Sequence, residues 1–399
     1  MPSDRHLPDW IEGFLEYTEN SEPPTPYRLW TAISVVAAAL QRKCCLRWGS
    51  LDFYPNLYVV LVGPSGGPRK TTAMTPGRKF LDTTGVKVAA DATTRESLIR
   101  ELRFSGEADV DPEEGTLGPI HASLTVYSKE LTVFLGYNNR ELMANLTDWY
   151  DCADQWVYKT KHEGIDDIKG VWMNLLGATT PDLIQLSLPR DAIGGGLTSR
   201  IIFVFEQIRG KTVIMPTFPQ DLGEQLQMDL DKLHTMKGDF KITPKFLDKF
   251  TEWRYAQDAN PPFRDSRLSG YMERRPAHIL KLCISLSASR SDSMVITDED
   301  LERGIKILTM TEKKMPLTFS GVGKSSEADI LSKVWMEVGA RGTTTFGELM
   351  AMFYYDADKQ TMDRVLATLK SAGFIDIGHE GTKQVITYIN REERKDENM

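Results

Sequence analysis

The stretch that most constrains this chain is Leu57-Tyr-Val-Val-Leu-Val62, followed at once by Gly63-Pro-Ser-Gly-Gly-Pro-Arg-Lys-Thr71. A short continuous apolar run rich in β-branched residues, bounded by Pro55 and Gly63, suits a parallel strand buried on both faces. The segment behind it has the make-up of a phosphate cradle. Small residues let backbone N–H groups turn inward, the N-terminus of a following helix adds positive potential, and a lysine reaches the outer phosphates. Lys70 is that lysine, and Thr71 offers a hydroxyl for Mg²⁺. The candidate nucleotide contacts are Gly63, Pro64, Ser65, Gly66, Gly67, Pro68, Arg69, Lys70, Thr71 and Thr72, with ATP and Mg²⁺ as the expected cofactors. The loop departs from the usual GxxxxGK[ST] spacing: it carries one residue more before the lysine, and Arg69 stands where glycine is normal. Taken alone, it can also be read as a Gly/Pro turn with a surface lysine.

The rest of the chain alternates in the way a parallel sheet requires. Ser123–Tyr127, Val171–Leu176 and Arg200–Phe205 are further short β-rich runs separated by helical segments, which predicts an α/β core. The 399 residues are too many for one ordinary domain, and they divide by pattern. Residues 1–50 read as a helical segment broken at Pro23–Pro26, 51–220 as the core, 221–318 as a helical lid-type subdomain, 319–326 as a linker and 327–399 as a compact final unit. Thr297 with Asp300 reads as a helix cap, and the acidic stretch Phe104–Gly118 as a surface loop. The final unit shows three helical patterns and two short strands around His379–Thr382, the outline of a winged helix-turn-helix.

Composition excludes several classes. Hydrophobic residues make up 41% and charged residues 26%, the mix of a globular chain. Leu29–Leu40 is too short to span a bilayer, so no membrane partner is expected. The acidic N-terminus lacks the basic start of an export signal, and a cytoplasmic location follows as an expectation. Cys44, Cys45, Cys152 and Cys283 form no CxxC pair and read as reduced and structural. The net charge of -8, from 48 Lys and Arg against 56 Asp and Glu, argues against a basic coat. It leaves room for a ring that concentrates its basic residues in a channel.

Three further positions carry candidate chemistry. Triphosphate hydrolysis needs a carboxylate to orient water, and the run ending at Tyr127 leads into Ser128-Lys-Glu130. Glu130 is that candidate; Ser128 occupies the place of a metal-assisting Asp. Thr179 or Thr180, at the end of the next run, is placed to sense a γ-phosphate or to cap a helix. Arg200, behind the flexible Gly194-Gly-Gly196 segment, suits a finger that stabilises charge in a neighbouring subunit's site, or an ordinary ion pair.

Tyr54–Tyr58, the Gly63–Thr71 loop, Leu175–Pro181 and Ala192–Arg200 together resemble AAA+ helicases of the minichromosome maintenance (MCM) kind and the related helicase-like ATPases of phages and mobile elements. The resemblance covers most of the chain. It implies a P-loop AAA+ core with parallel sheet and helical lid, an arginine finger at Arg200, a sensor arginine at Arg275 with Arg274 as its neighbour, and self-association into a ring, commonly a hexamer. It also implies a DNA-gripping hairpin, matched here by Trp156–Lys161 and Ile165–Lys169, with Lys159 and Lys161 as its phosphate contacts. In the final unit Lys359 and Arg364 fall on the helix that usually enters the major groove. The expected activity is ATP-driven unwinding or translocation on single-stranded or forked DNA in phage or mobile-element replication, with replication proteins as further partners. The alternative is a nucleotide-dependent initiator or helicase loader that binds DNA without unwinding it.

Overall fold

Two helices precede any part of the central sheet, and both are built to be buried. Trp10–Tyr17 (α1) starts behind Asp9, whose carboxylate accepts the N–H groups of Ile11 and Glu12. Thr25–Leu40 (α2) starts behind the proline-rich break, and every residue from Trp30 to Leu40 is buried, the signature of a helix enclosed on all sides. The structure, a computed structural model, describes residues 5–110, 117–160, 164–188, 194–259, 261–263, 265–319, 326–381 and 383–389. These form two compact units, residues 1–319 and 320–399.

Helix α2 ends at Gln41, whose φ of 53° redirects the chain. The sequence suggested helix as far as Gly49; the chain instead forms two strands, Cys44–Trp48 (β1) and Leu51–Phe53 (β2). They form because Cys44–Leu46 pair in parallel with residues 238–240, a long-range partner that no local pattern announces.

The central sheet follows. Tyr58–Val62 (β3) is buried along its whole length and feeds Lys70–Thr84 (α3). Arg95–Phe104 (α4), Gly106–Val110 (β4) and Leu117–Ser128 (β5) come next. The expected surface loop at Phe104–Gly118 is therefore in part a hairpin, because Gly106–Ala108 pair antiparallel with Ile120–Ala122; residues 111–116 lie outside the described residues. Leu131–Leu135 (α5) and Arg140–Tyr150 (α6) lead into a two-stranded hairpin, Gln155–Thr160 (β6) and Gly164–Lys169 (β7). Val171–Thr179 (β8), Pro181–Ser187 (α7) and Ile201–Phe205 (β9) complete the core. The strand order is β4-β5-β8-β3-β9, parallel except at β4.

Beyond residue 220 the chain is mainly helical: Gln220–Thr235 (α8), Pro244–Ala259 (α9), Ser269–Arg290 (α10) and Asp298–Glu312 (α11). Two short strands interrupt it, Gly238–Ile242 (β10) and Val295–Ile296 (β11), and they join β1 and β2 in a second sheet of order β11-β10-β1-β2. The capping box between Thr297 and Asp300 is present at the start of α11. The second unit contains Ser326–Arg341 (α12), Thr343–Thr345 (β12), Phe346–Phe353 (α13), Lys359–Ser371 (α14), Ile375–Glu380 (β13) and Lys383–Tyr388 (β14). Its strands form one antiparallel sheet of order β12-β14-β13, one strand more than the sequence pattern suggested. Val334, Val338, Leu349, Met362, Leu366 and Ile386 build its own core. Among the described residues no helix is long and apolar enough to cross a membrane, and all four cysteines are free and buried.

One buried polar residue in α10 makes the fold sensitive to acid. His278 Nε2 lies 3.2 Å from the Ser199 carbonyl and Nδ1 3.1 Å from the Tyr150 hydroxyl. A carbonyl only accepts, so Nε2 carries the proton and Nδ1 receives the phenol's. Burial pulls the imidazole pKa down to about 3, whereas an unfolded histidine takes up a proton near 6.5. Between these values the unfolded chain binds the extra proton, so stability falls as pH drops below about 6.5. Urea unfolding between pH 6 and 4 is expected to show a wild-type loss steeper than that of His278→Gln by up to ~1.4 kcal/mol per pH unit; equal slopes would remove His278 as the cause.

Candidate functional site

Because β3, β5 and β8 run parallel, the loops that follow them leave the sheet at one edge. Register makes this concrete: Val62 pairs with Thr179 and Ser128 with Gly177. The Gly63 loop, the Lys129–Glu130 turn and Thr180 therefore converge on a cleft of about 260 Å³ that Lys70, Thr71 and Thr72 also line. Strand β8 lies between β3 and β5, so Glu130 approaches the cleft from one strand beyond the loop.

The loop is anchored at its first residue. Gly63 N–H donates to the Thr179 carbonyl at 3.3 Å, and Tyr27 Oη donates to the Val62 carbonyl at 2.6 Å. A Cβ on Gly63 would stand 2.2 Å from the Glu206 carbonyl oxygen and 2.7 Å from Tyr27 Oη, so only glycine fits. At its other end Arg69 adopts φ 57° and ψ 42° directly before the first residue of α3. That left-handed conformation favours glycine, which gives the physical reason a glycine is usual there. Here the arginine side chain bonds the Glu22 carboxylate at 2.7 Å, and Glu22 also holds Arg209 at 3.3 Å.

Lys70 occupies the first turn of α3 and folds its ammonium onto the loop, donating to the Gly63 carbonyl at 2.6 Å and the Pro64 carbonyl at 3.0 Å. Burial lowers its pKa, and the nearby Glu130 carboxylate opposes that shift. Glu130 is half-buried at the head of α5, where its Oε1 accepts from Thr132 Oγ1 at 3.0 Å. The buried Ser128 hydroxyl donates to the Glu130 carbonyl at 2.9 Å, so it holds the turn that presents the carboxylate. Of the two threonines, Thr179 is buried at the strand end under the loop. Thr180 lines the cleft while its Oγ1 caps α7 by accepting from Leu183 N–H at 3.3 Å. Lys129, which the sequence reading passed over, also faces the cleft.

The arginines sit elsewhere. Ile201 pairs with Tyr58, the first residue of β3, which puts Arg200 at the opposite edge of the sheet from the loop, about 15 Å along a five-residue strand. Its guanidinium is buried, 2.5 Å from Asp151 Oδ2 and 3.1 Å from the Gly196 carbonyl. Arg274 reaches the other oxygen of Asp151 at 3.5 Å and is one-third exposed, 34%; burial and the charge of Arg200 lower its pKa. Arg275 is enclosed and fully engaged. It bonds both Glu312 oxygens at 2.6 and 2.8 Å, Thr309 Oγ1 at 3.2 Å and Gln257 Oε1 at 3.2 Å, with its guanidinium 5.1 Å from the centre of the Trp253 ring.

On the β6–β7 hairpin Lys159 is exposed opposite Ile165; Lys161 lies outside the described residues. The hairpin is braced from behind by Arg95 over the Tyr158 ring at 4.9 Å and by the Arg103–Asp166 pair at 2.8 Å. In the second unit Lys359 and Arg364 are exposed on α14. Lys359 borders an open cleft of about 540 Å³ together with Asp363, His379 and Lys383, and Arg364 donates to Thr361 Oγ1 at 3.3 Å.

No protein-family model matches this sequence, and no curated protein matches it either. The site therefore rests on its own geometry.

That geometry distinguishes two loop glycines. A Cβ on Gly66 meets nothing within 4 Å, and only its φ of +73° opposes a side chain. Gly66→Ala should cost about 1–2 kcal/mol, whereas Gly63→Ala, which meets backbone, should cost about 3 kcal/mol or more. Urea unfolding measures both; a Gly63→Ala variant no less stable than Gly66→Ala would contradict the close packing under Tyr27.

Proposed function

We propose that this chain is a nucleoside triphosphatase with an AAA+-type core that moves along DNA as a ring, with ATP and Mg²⁺ held in the cleft between the Gly63 loop and Glu130. The observation that carries this reading is the meeting of Lys70 and Glu130 in one cleft at the carboxyl edge of parallel strands, over the N-terminus of a 15-residue helix. Such a helix end attracts phosphate. An anion there gives Lys70 a partner better than the carbonyls of Gly63 and Pro64 and restores the charge that burial disfavours. Thr71 is the hydroxyl available to Mg²⁺, which when bound would neutralise charge on the outer phosphates. Glu130, oriented by Thr132, takes a proton from the attacking water as the water oxygen bonds the γ-phosphorus and the bond to the β,γ-bridging oxygen breaks, releasing inorganic phosphate and the nucleoside diphosphate.

Arg200 supports a ring because its own cleft is at the far edge of the sheet. Any contact with a triphosphate must be with that of a second copy, and requires that its pairing with Asp151 be released. Arg274, one-third exposed and sharing Asp151, is better placed for a role beside it than Arg275, whose donors are committed to Glu312, Thr309 and Gln257. Three helices with a small antiparallel sheet support a winged-helix reading of the second unit, with Lys359 and Arg364 on DNA phosphates. Lys159 on the hairpin serves the same purpose in the channel.

A second reading, a replication initiator or helicase loader, is favoured by the Arg200–Asp151 pairing at 2.5 Å within one chain, since a nucleotide switch needs no finger. ATP turnover with and without single-stranded DNA separates the two. The motor reading expects DNA-stimulated turnover in a ring-sized particle, lowered about 10³-fold by Arg200→Ala and about 10²-fold or more by Glu130→Gln, and lost in Lys70→Ala. ATP binding without turnover, and no unwinding of a forked duplex by the protein alone, would leave the initiator or loader reading.

A further inference from the structure

We infer that the base of the bound nucleotide lies in a second cavity beside Tyr17 and Phe218, where it is recognised by stacking and not through the Watson–Crick edge that distinguishes the purines, so that the site accepts adenine and guanine alike. This rests on the phosphate-site reading given above.

The cavity, about 330 Å³, runs along the side of α3, within the range of small-molecule sites. Thr75 and Pro76 form one wall, Tyr17, Pro216 and Phe218 the other, and Thr71 and Thr72 belong both to it and to the phosphate cleft. Phosphates seated over the first turn of α3 therefore direct the sugar and base along the helix flank into this space. Tyr17 and Phe218 stack with ring centres 5.0 Å apart and planes 23° apart. Phe80 meets Tyr17 edge-on at 5.6 Å from behind, and Phe218 keeps 38% of its surface exposed.

Polar groups around the cavity are largely committed. Ser21 Oγ donates to the Thr18 carbonyl at 2.5 Å, Thr75 Oγ1 donates to the Thr71 carbonyl at 2.9 Å, and the Glu22 carboxylate holds Arg69 and Arg209. Lys79 is exposed on the rim, a mobile donor that suits the N7 acceptor shared by both purines. A site rejects the wrong base strongly when that base leaves buried polar groups unpaired. A wall of aromatic and proline rings instead rewards area, which favours purines over pyrimidines.

Phe218 is held in place by its segment. Gly210 N–H donates to the Glu22 carbonyl at 2.9 Å, and Asn20 Nδ2 donates to Thr217 Oγ1 at 2.8 Å. Glu22 thus anchors both the segment that carries the base wall and, through Arg69, the phosphate loop.

The test is calorimetric titration of the full chain with Mg²⁺ and ATP, GTP, CTP, UTP or inorganic tripolyphosphate, using wild type, Phe218→Ala, Phe218→Trp and Lys70→Ala. ATP and GTP should bind wild type within about fivefold of each other, a difference near 1 kcal/mol, with CTP and UTP weaker. Phe218→Ala should weaken both purine nucleotides about tenfold, leave tripolyphosphate unchanged, and be compensated in Phe218→Trp. An unchanged ATP affinity in Phe218→Ala, or a hundredfold preference between the purines, would overturn the base site while tripolyphosphate binding lost in Lys70→Ala still upheld the phosphate site. Tripolyphosphate binding that ignores Lys70→Ala, or no binding of any ligand to wild type, would overturn the phosphate site and this inference with it.

Discussion

The candidate site depends on one knot of hydrogen bonds where three parallel strands end. Tyr27 Oη donates to the Val62 carbonyl at 2.6 Å and lies 3.2 Å from the Glu206 carbonyl; Glu206 N–H donates to Val62, and Gly63 N–H to Thr179. These contacts tie α2, β3, β8 and β9 together at the point where the Gly63 loop begins. Burial pushes the Tyr27 phenol far above its ordinary pKa, so it remains a donor throughout the working pH range. The absence of a Cβ at Gly63 is what lets the tyrosine, the Glu206 backbone and the Pro68 ring close in together. A loop of backbone donors holds a ligand only if its ends do not move, and this knot fixes the first end.

The second end is fixed by charge. Arg69 takes a backbone conformation that costs a non-glycine residue about 1–2 kcal/mol, and its ion pair with Glu22 at 2.7 Å offsets part of that cost. The pair is semi-exposed, 42% and 17%, so its net contribution is modest; its geometric effect is larger, because Glu22 also binds Arg209. The residue that breaks the usual motif thus gives the loop a lateral tether that a glycine has no side chain to make. Spacing and tether belong together: a longer loop has more freedom, and the bond to Glu22 removes some of it.

Much of this was legible in the sequence. The apolar run at Leu57–Val62, the Gly-rich loop and the Thr297–Asp300 cap are local patterns, and local patterns report local structure, whereas the hairpin expected over 156–161 and 165–169 came from the resemblance. What was missed depends on pairing across long separations. Strand β1 exists because it meets β10 almost 200 residues later, Cys44 to Gly238, and β4 exists because β5 is extended past Ser123 to Leu117. Within the site, Lys70, Thr71 and Glu130 follow from motif and strand order. Tyr27, Glu22, Tyr17 and Phe218 do not, because each reaches the cleft or its border from an element that carries no motif. Arg275 illustrates the opposite difficulty: an arginine in a suggestive position reads the same whether it faces a ligand or, as here, sits 2.6 Å from Glu312 with 5% of its side chain exposed.

The two arginine clusters also differ in what they permit. Breaking the buried Arg275–Glu312 pair would strand a carboxylate with 1% exposure, a loss of about 3–5 kcal/mol, which marks it as part of the framework that holds α10 against α11. Arg200 and Arg274 instead share one acceptor, Asp151, which is 52% exposed. One half-solvated carboxylate faces two guanidiniums, and burial first, then the charge of Arg200, lowers the pKa of Arg274. Two positive groups on one acceptor repel each other, so each is held less favourably than it would be in a pair of its own. The same arrangement that keeps Arg200 out of its own cleft therefore gathers two guanidiniums on one carboxylate at the opposite edge of the sheet.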